Sequence, residues 1–436
     1  MSSILTNNGA MVALQTLKSI NSDLGKTQDM ISTGKSIGSA KDNAAIWSIS
    51  KVMESDVQGF KAISSSLSLG ESTVAVARQA SETVTDLLTQ MKDKIVASQE
   101  SNVDRDKIQL DIDALRDQIT SVVGAAQFNG LNLLSNTELE AGTGTVDVLA
   151  SLDRSGDGVT ASNISVGKND LGTGASSIAA GATAIAAASN DITAGTADTS
   201  AAALTGAATA PTTAVTIATD ATDSIAAGQG FNVQISGVAG LDAGLATGGL
   251  SDIKYVARDG DTAKDVTEGL AASFNEYVAG NLTDRSDIQA VASVDTNGDA
   301  ILTFTGSNVV GENFSVNVSQ YDDTDTAIGG GLEALSEIDV TTDAGADSAL
   351  TKIEGLIGKA IDSAAAFGSA QGRIEIQSNF VSKLSDALKS GIGTLVDADM
   401  EEASARLQAL QVQQQLGVQS LSIANQAPQS ILSLFR

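Results

Sequence analysis

Leu14-Gln15-Thr16-Leu17-Lys18-Ser19-Ile20-Asn21-Ser22-Asp23-Leu24-Gly25-Lys26-Thr27-Gln28-Asp29-Met30-Ile31 is the stretch that decides the fold. Leu17, Leu24 and Ile31 recur every seven residues, with Leu14 and Ile20 filling in between. That is the repeat of a coiled-coil seam, narrower than the apolar face of a globular helix. A helix with so narrow a seam is marginal alone in water. Residues 10–33 therefore need a partner.

The far end of the chain supplies a candidate. Asp399, with Glu402 three residues later, reads as the capped start of a last helix. Its seam is Ala403, Leu407, Leu410, Gly417, Leu421 and Ala424. Pro428 is expected to close it, leaving an apolar tail of Ile431, Leu432, Leu434 and Phe435. Pairing Leu14, Leu17, Leu24 and Ile31 with Leu407, Leu410 and Leu421 makes one rod of the two ends. Two paired helices still leave apolar faces and the tail open, and such faces mark interaction surfaces. Self-association through this seam and tail is the economical reading.

Moving inward, the helical patterns lengthen. From Ile46 to Ser98 there is no Pro, and Gly59 and Gly70 are the only glycines, which predicts a rod helix rather than a globular one. Ile108, Ile112, Leu115, Ile119 and Val122 mark a third helix ending near Gly124. On the C-terminal side, Ile353, Ile357, Ala360, Ala364, Phe367, Ile374, Val381, Leu384 and Leu388 form a stripe that Gly391 and Gly393 are expected to interrupt.

The middle has another character. Residues 171–228 are mostly Ala, Gly, Thr and Ser, too small to bury much surface. Phe231–Ile235 and Ile301–Phe304 alternate as strands do. Asn297-Gly298 is a hairpin signal, and Asp261–Val278 reads as one amphipathic helix. The expected architecture is multidomain and mainly α at both termini, with an inserted β-rich, α+β outer region. Its parts are 1–40 and 397–436 (paired coil), 41–140 and 341–396 (rod), and 141–340 (outer region, with a small α+β domain at 212–320).

Composition narrows the function. The 436 residues contain no Cys and no His, which removes thiol nucleophiles, imidazole bases, disulfides and the usual zinc sites. Residues 141–340 carry 26 acidic and 6 basic side chains of a chain whose net charge is −28. So acidic a middle repels nucleic acid and anionic lipid, and neither is an expected partner. No secretory leader pattern stands at the start, and no run approaches the ~20 apolar residues of a membrane helix. Two acidic glycine loops, Asp153–Gly158 and Asp295–Asp299, lack the ligand order of a calcium loop and read as turns.

Several motifs now converge: Ser3-Ile4-Leu5-Thr6-Asn7-Asn8-Gly9-Ala10, Ile31-Ser32-Thr33-Gly34-Lys35-Ser36-Ile37, Ala40-Lys41-Asp42-Asn43-Ala44-Ala45, Ala126-Gln127-Phe128-Asn129-Gly130-Leu131-Asn132-Leu133-Leu134, Asp397–Ala403 and Ala424–Leu432. In that order, over about 1–140 and 345–436, they resemble the two ends of bacterial flagellins, in detail those of alphaproteobacteria. The resemblance implies an extracellular structural subunit of the flagellar filament, a helical homopolymer rather than an enzyme, with no cofactor. It also implies export by the flagellar type III apparatus with a chaperone, addition beneath a filament cap, and joining to hook-junction proteins. A hook–filament junction protein is the alternative, and Phe128-Asn129-Gly130 and Ala427-Pro428-Gln429 favour flagellin.

Overall fold

Apolar residues three and four apart become long helices in the computed structural model, which describes residues 7–155, 158–185, 202–241, 243–282 and 288–434. In chain order the helices are α1 (Asn8–Thr33), α2 (Ala44–Ser98), α3 (Arg105–Ala125), α4 (Ala263–Asn281), α5 (Asp343–Val396) and α6 (Met400–Leu434). The strands, all between α3 and α5, are β1 (Gln127–Phe128), β2 (Leu131–Asn132), β3 (Thr145–Ser155), β4 (Gly158–Gly167), β5 (Ser177–Ile178), β6 (Ala202–Thr205), β7 (Thr212–Ala218), β8 (Gly230–Ala239), β9 (Lys254–Val256), β10 (Gln289–Val294), β11 (Ala300–Thr305), β12 (Asn313–Tyr321) and β13 (Thr326–Ala327). Helical ends enclosing a strand-rich insertion are what the sequence predicts.

The described residues divide into two compact units, one drawn from 7–65, 151–161 and 377–434, the other from 66–150 and 162–376. The second unit holds a helical core with a strict three–four spacing. Leu67, Val74, Ala77, Ser81, Val84, Leu88, Met91 and Ile95 of α2 are all buried. So are Ala346, Ala349, Ile353, Leu356, Ala360, Ser363, Phe367, Ala370 and Ile374 of α5. Ile112, Ile119 and Val123 of α3 are buried too. Ser81 and Ser363 are each other's partners, hydroxyl to hydroxyl at 3.1 Å, so neither buried oxygen is left unbonded. Past α3, Asn129 and Gly130 both have positive φ (53° and 81°) and turn β1 back onto β2, as an Asn-Gly hairpin does.

The α+β part of this unit has two antiparallel sheets, ordered β10-β11-β7 and β6-β12-β8-β9, with α4 packed against both. α4 begins at Ala263 because Thr262 is its cap. The Thr262 backbone N–H and hydroxyl both donate to Asp265 Oδ2, at 2.8 and 2.6 Å. Val266, Leu270, Phe274 and Val278 then share a buried hydrophobic core with Phe231, Val233, Phe304, Phe314 and Val318. Phe274 and Phe304 meet edge to face, 5.0 Å between centroids. The expected hairpin at Asn297-Gly298 joins β10 to β11. There the Asp295 carboxylate accepts from the Asn297 and Asp299 backbone N–H groups at 2.7 and 3.0 Å, which makes it a turn former.

The outgoing and returning chains of the insertion are stitched together where they pass. β5 pairs antiparallel with β13. Gly330 N–H donates to Gly174 O at 2.7 Å, and Leu332 N–H to Gly172 O at 2.9 Å. Gly329-Gly330-Gly331 is required by this closeness. A Cβ on Gly330 or Gly331 would lie 2.0 Å from the carbonyl oxygen of Gly172 or Asp170 respectively. Gly330→Ala is expected to destabilise the second unit by about 3 kcal/mol, since backbone must move to admit a methyl group. An unchanged urea midpoint would contradict this reading of the stitch.

In the first unit, two expectations need correction. Gly391 and Gly393 do not interrupt α5, which runs on to Val396. A Cβ on Gly391 would sit 3.2 Å from Met53 Cε, and one on Gly393 would sit 2.8 Å from the Asp397 carboxylate. These glycines give room for neighbours, and a glycine's helix cost of about 1 kcal/mol is small against the packing of so long a helix. Pro428 does not end α6, whose backbone continues to Leu434. A helical proline strands the carbonyl four residues back. Here that is Ala424 O, and it accepts from Asn7 Nδ2 at 2.8 Å.

Candidate functional site

α1 starts where Asn7 caps it, the Asn7 side chain accepting from Ala10 N–H at 3.1 Å. It ends at Gly34, whose φ of 70° closes the last turn with a bond from its N–H to Met30 O. α6 starts on Asp399, whose Oδ1 accepts from Glu401 and Glu402 N–H at 2.9 and 3.1 Å. Between them the two chains are tied: Ser36 N–H donates to Val396 O at 2.7 Å, and Ala398 N–H to Gly34 O at 2.9 Å. This short connection forces α1 and α6 to run antiparallel and packed side by side.

Their shared face keeps heptad spacing throughout. On α1 the inward positions are Ala10, Ala13, Leu17, Ile20, Leu24, Thr27 and Ile31. On α6 they are Ala403, Leu407, Leu410, Gln414, Gly417, Leu421 and Ala424. Leu410, Ala403 and Thr27 are buried, while Leu17, Leu24, Ile31, Leu407 and Leu421 are half-buried, as a two-helix seam allows. Gly417 is a seat for Leu17, since a Cβ there would come 3.0 Å from Leu17 Cδ1. One polar rung fixes the register: Gln414 Nε2 donates to Asn21 Oδ1 at 2.7 Å. Thr27 satisfies its buried hydroxyl on Asp23 O at 2.8 Å.

Leu14 is the exception among the seam residues read from sequence. It is 50% exposed, because Ala13 holds the seam position four before Leu17 and seven before Ile20. Size suggested Leu14, and spacing would have chosen Ala13. Asn7, Thr27 and Gln414 were also missed, since polar residues in an apolar repeat carry no signal except their register. The side chains of Ile431, Leu432 and Leu434, and all of Phe435, lie outside the described residues. So do Ser3–Thr6 of the opening motif, Gly156 and Asp157 of the first acidic loop, and 186–201 of the small-residue stretch.

Beyond the seam, both helices present large apolar side chains to solvent. Met11, Val12 and Leu14 do so on α1, and Val412, Leu416, Val418 and Ile423 on α6, with Ile423 68% exposed. Their side chains occupy positions that neither helix can cover for the other. At the inner end, Lys35 and Lys51 flank Glu54 at 3.3 and 2.7 Å, and the bond from Lys51 above all holds that carboxyl below its ordinary value. Such exposed pairs contribute little to stability. Among the described residues no group of three or more His, Cys, Asp or Glu side chains could hold a metal ion, and no helix is long and apolar enough to cross a membrane.

Comparison with known proteins gives consistent matches. Residues 4–138 match the bacterial flagellin N-terminal helical region, and residues 350–435 match the C-terminal helical region. The chain is 37% identical to Flagellin A of Rhizobium meliloti, over the whole length of both. It is 28% identical to Flagellin FljM of Caulobacter vibrioides, over all of this chain and 99% of that one. Among solved structures, FliC from Burkholderia pseudomallei is 16% identical and covers 70% of this chain and 99% of its own, with a TM-score of 0.29.

Proposed function

This chain belongs to the bacterial flagellin family, and from that premise we propose that it polymerises into the filament through the paired helices α1 and α6. As a flagellin it is a structural subunit of the extracellular flagellar filament and not an enzyme. The observation that carries the polymerisation reading is the set of exposed apolar residues flanking the seam, from Met11 to Leu14 and from Val412 to Ile423. An apolar patch held open on a soluble chain is stabilised by burial against further copies, about 25 cal/mol for each Å² covered. Leu17, Leu24 and Ile31 with Leu407, Leu410 and Leu421 hold the pair together, and Leu14 belongs to the outward contact. The tail Ile431, Leu432, Leu434 and Phe435 is assigned to the same subunit contacts on its composition.

Export through the flagellar type III apparatus, with a chaperone, is part of this reading, as are contacts with the filament cap and the hook-junction proteins. The test of polymerisation is electron microscopy of purified protein seeded with short filament fragments. Full-length protein is expected to extend the seeds, and protein lacking 1–33 and 400–436 is not. Growth from neither, with a folded chain, would favour a junction protein that adapts two structures without polymerising at length.

A further inference from the structure

Where α4 lies beside α5, three charged side chains meet. Lys352 of α5 stands 2.8 Å from Glu276 Oε1 of α4 and 2.8 Å from Glu337 Oε2 of the short turn Glu333–Glu337. The Lys352 side chain is only 13% exposed. Its directed hydrogen bond goes to Glu337. Glu276 Oε1 is cut off from solvent and held by the Lys352 ion pair. Two carboxylates share this one ammonium, and Glu276 is the more enclosed of them, its side chain 30% exposed against 54% for Glu337.

The other cations nearby are bonded to backbone carbonyls rather than to Glu276, and their charge still acts on the pair. Lys254 of β9 is turned to the Ser251 carbonyl at 3.0 Å, and Lys359 of α5 to the Gly331 carbonyl at 3.1 Å. Arg258 hydrogen-bonds Gly329 O and lies 4.0 Å from Asp170, and Glu333 is bonded to Ser176 N–H at 2.6 Å. All of these groups line a cleft of about 740 Å³ through which protons from solvent can arrive.

We infer that Glu276, Lys352 and Glu337 form a proton-operated latch that fastens α4 to α5. One proton on Glu276 removes the repulsion between the two carboxylates, turns its carboxyl into a donor for Glu337, and leaves Lys352 paired with Glu337. The titration behaviour agrees. Burial, opposed by Lys352 and aided by Glu337, raises the Glu276 carboxyl above its ordinary value. Burial acts on Glu337 in the same sense, but the bond and charge of Lys352 outweigh it and hold Glu337 below its ordinary value. A group raised in the folded state stabilises fully below its unfolded value and loses that contribution as pH rises through the folded value. The latch therefore tightens as pH falls through the raised Glu276 value toward the ordinary glutamate range. Acidification past the range that protonates Glu337 reverses the gain.

Hydrogen exchange of the full-length chain between pH 8 and 5, corrected for intrinsic rates, reads the latch directly. Protection of 263–281 is expected to rise on acidification by up to about tenfold per pH unit, the limit for one proton. Glu276→Gln, which carries the neutral form permanently, is expected to be protected at both ends with that slope gone. The same slope in the variant, or none in the native chain, would overturn the latch. Should Glu276→Gln not fold, carboxyl carbon NMR of the native chain decides: a Glu276 midpoint at or below the ordinary glutamate value sinks the inference, and one above it supports it.

Discussion

Leu17→Asp combined with Leu24→Asp is expected to abolish filament growth altogether. Both leucines face α6, Leu17 against Gly417 and Leu24 one heptad further along α1. Each contributes roughly 1.5–3 kcal/mol by leaving water, and an aspartate there replaces that gain with an unpaired carboxylate against an apolar partner. The two losses fall on one seam whose polar ties, Gln414 with Asn21 and Asn7 with Ala424, cannot hold the helices together alone. Seeded growth followed by electron microscopy checks the outcome, and circular dichroism checks that the rest of the chain keeps its helices. Filaments of ordinary length from the double variant would remove α1 and α6 from the polymerising surface.

Phe274→Ala should produce the largest loss of stability in the α+β part, about 3–5 kcal/mol. The ring is fully buried at the centre of a cluster that runs from Leu204 to Val318 and includes Phe231, Phe304 and Phe314. Its edge-to-face contact with Phe304 is lost with it, worth about 0.5–1.5 kcal/mol beyond area. None of these residues belongs to the stripes of α2, α3 and α5. Urea unfolding followed by proteolysis at 204–318 should show the loss there. A shift of less than 1 kcal/mol would mean that the helix and sheets do not depend on this ring.

The sequence carried the helices better than their ends. Three–four spacing located α1, α2, α3, α5 and α6, because periodicity is a local property that the folded state keeps. The stops at Gly391 and Pro428 were misread for one reason: each breaker is answered by a residue far away in sequence, Met53 for Gly391 and Asn7 for Pro428, while Gly393 makes room for nearby Asp397. Leu14 was chosen over Ala13 because side-chain size was given more weight than register. In the middle, α4 and the β10–β11 hairpin were legible from alternation and turn residues. The division into two sheets was not, since strand order depends on pairings such as β12 with both β6 and β8 that no local pattern states. The glycine stitch and the Glu276–Lys352 contact were invisible for the same reason, being meetings of segments over 70 residues apart.

The bond from Asn7 to Ala424 also sets a clock. Its partners stand 417 residues apart, so α1 leaves the ribosome long before the helix that completes it exists. At about 5–20 residues per second that interval is roughly 20–80 s. Throughout it the first helix has no mate, and a pairing so distant is among the last that can form. The whole polypeptide must be made before its ends can close on each other, which keeps the leading segment unzipped and threadable until synthesis is over.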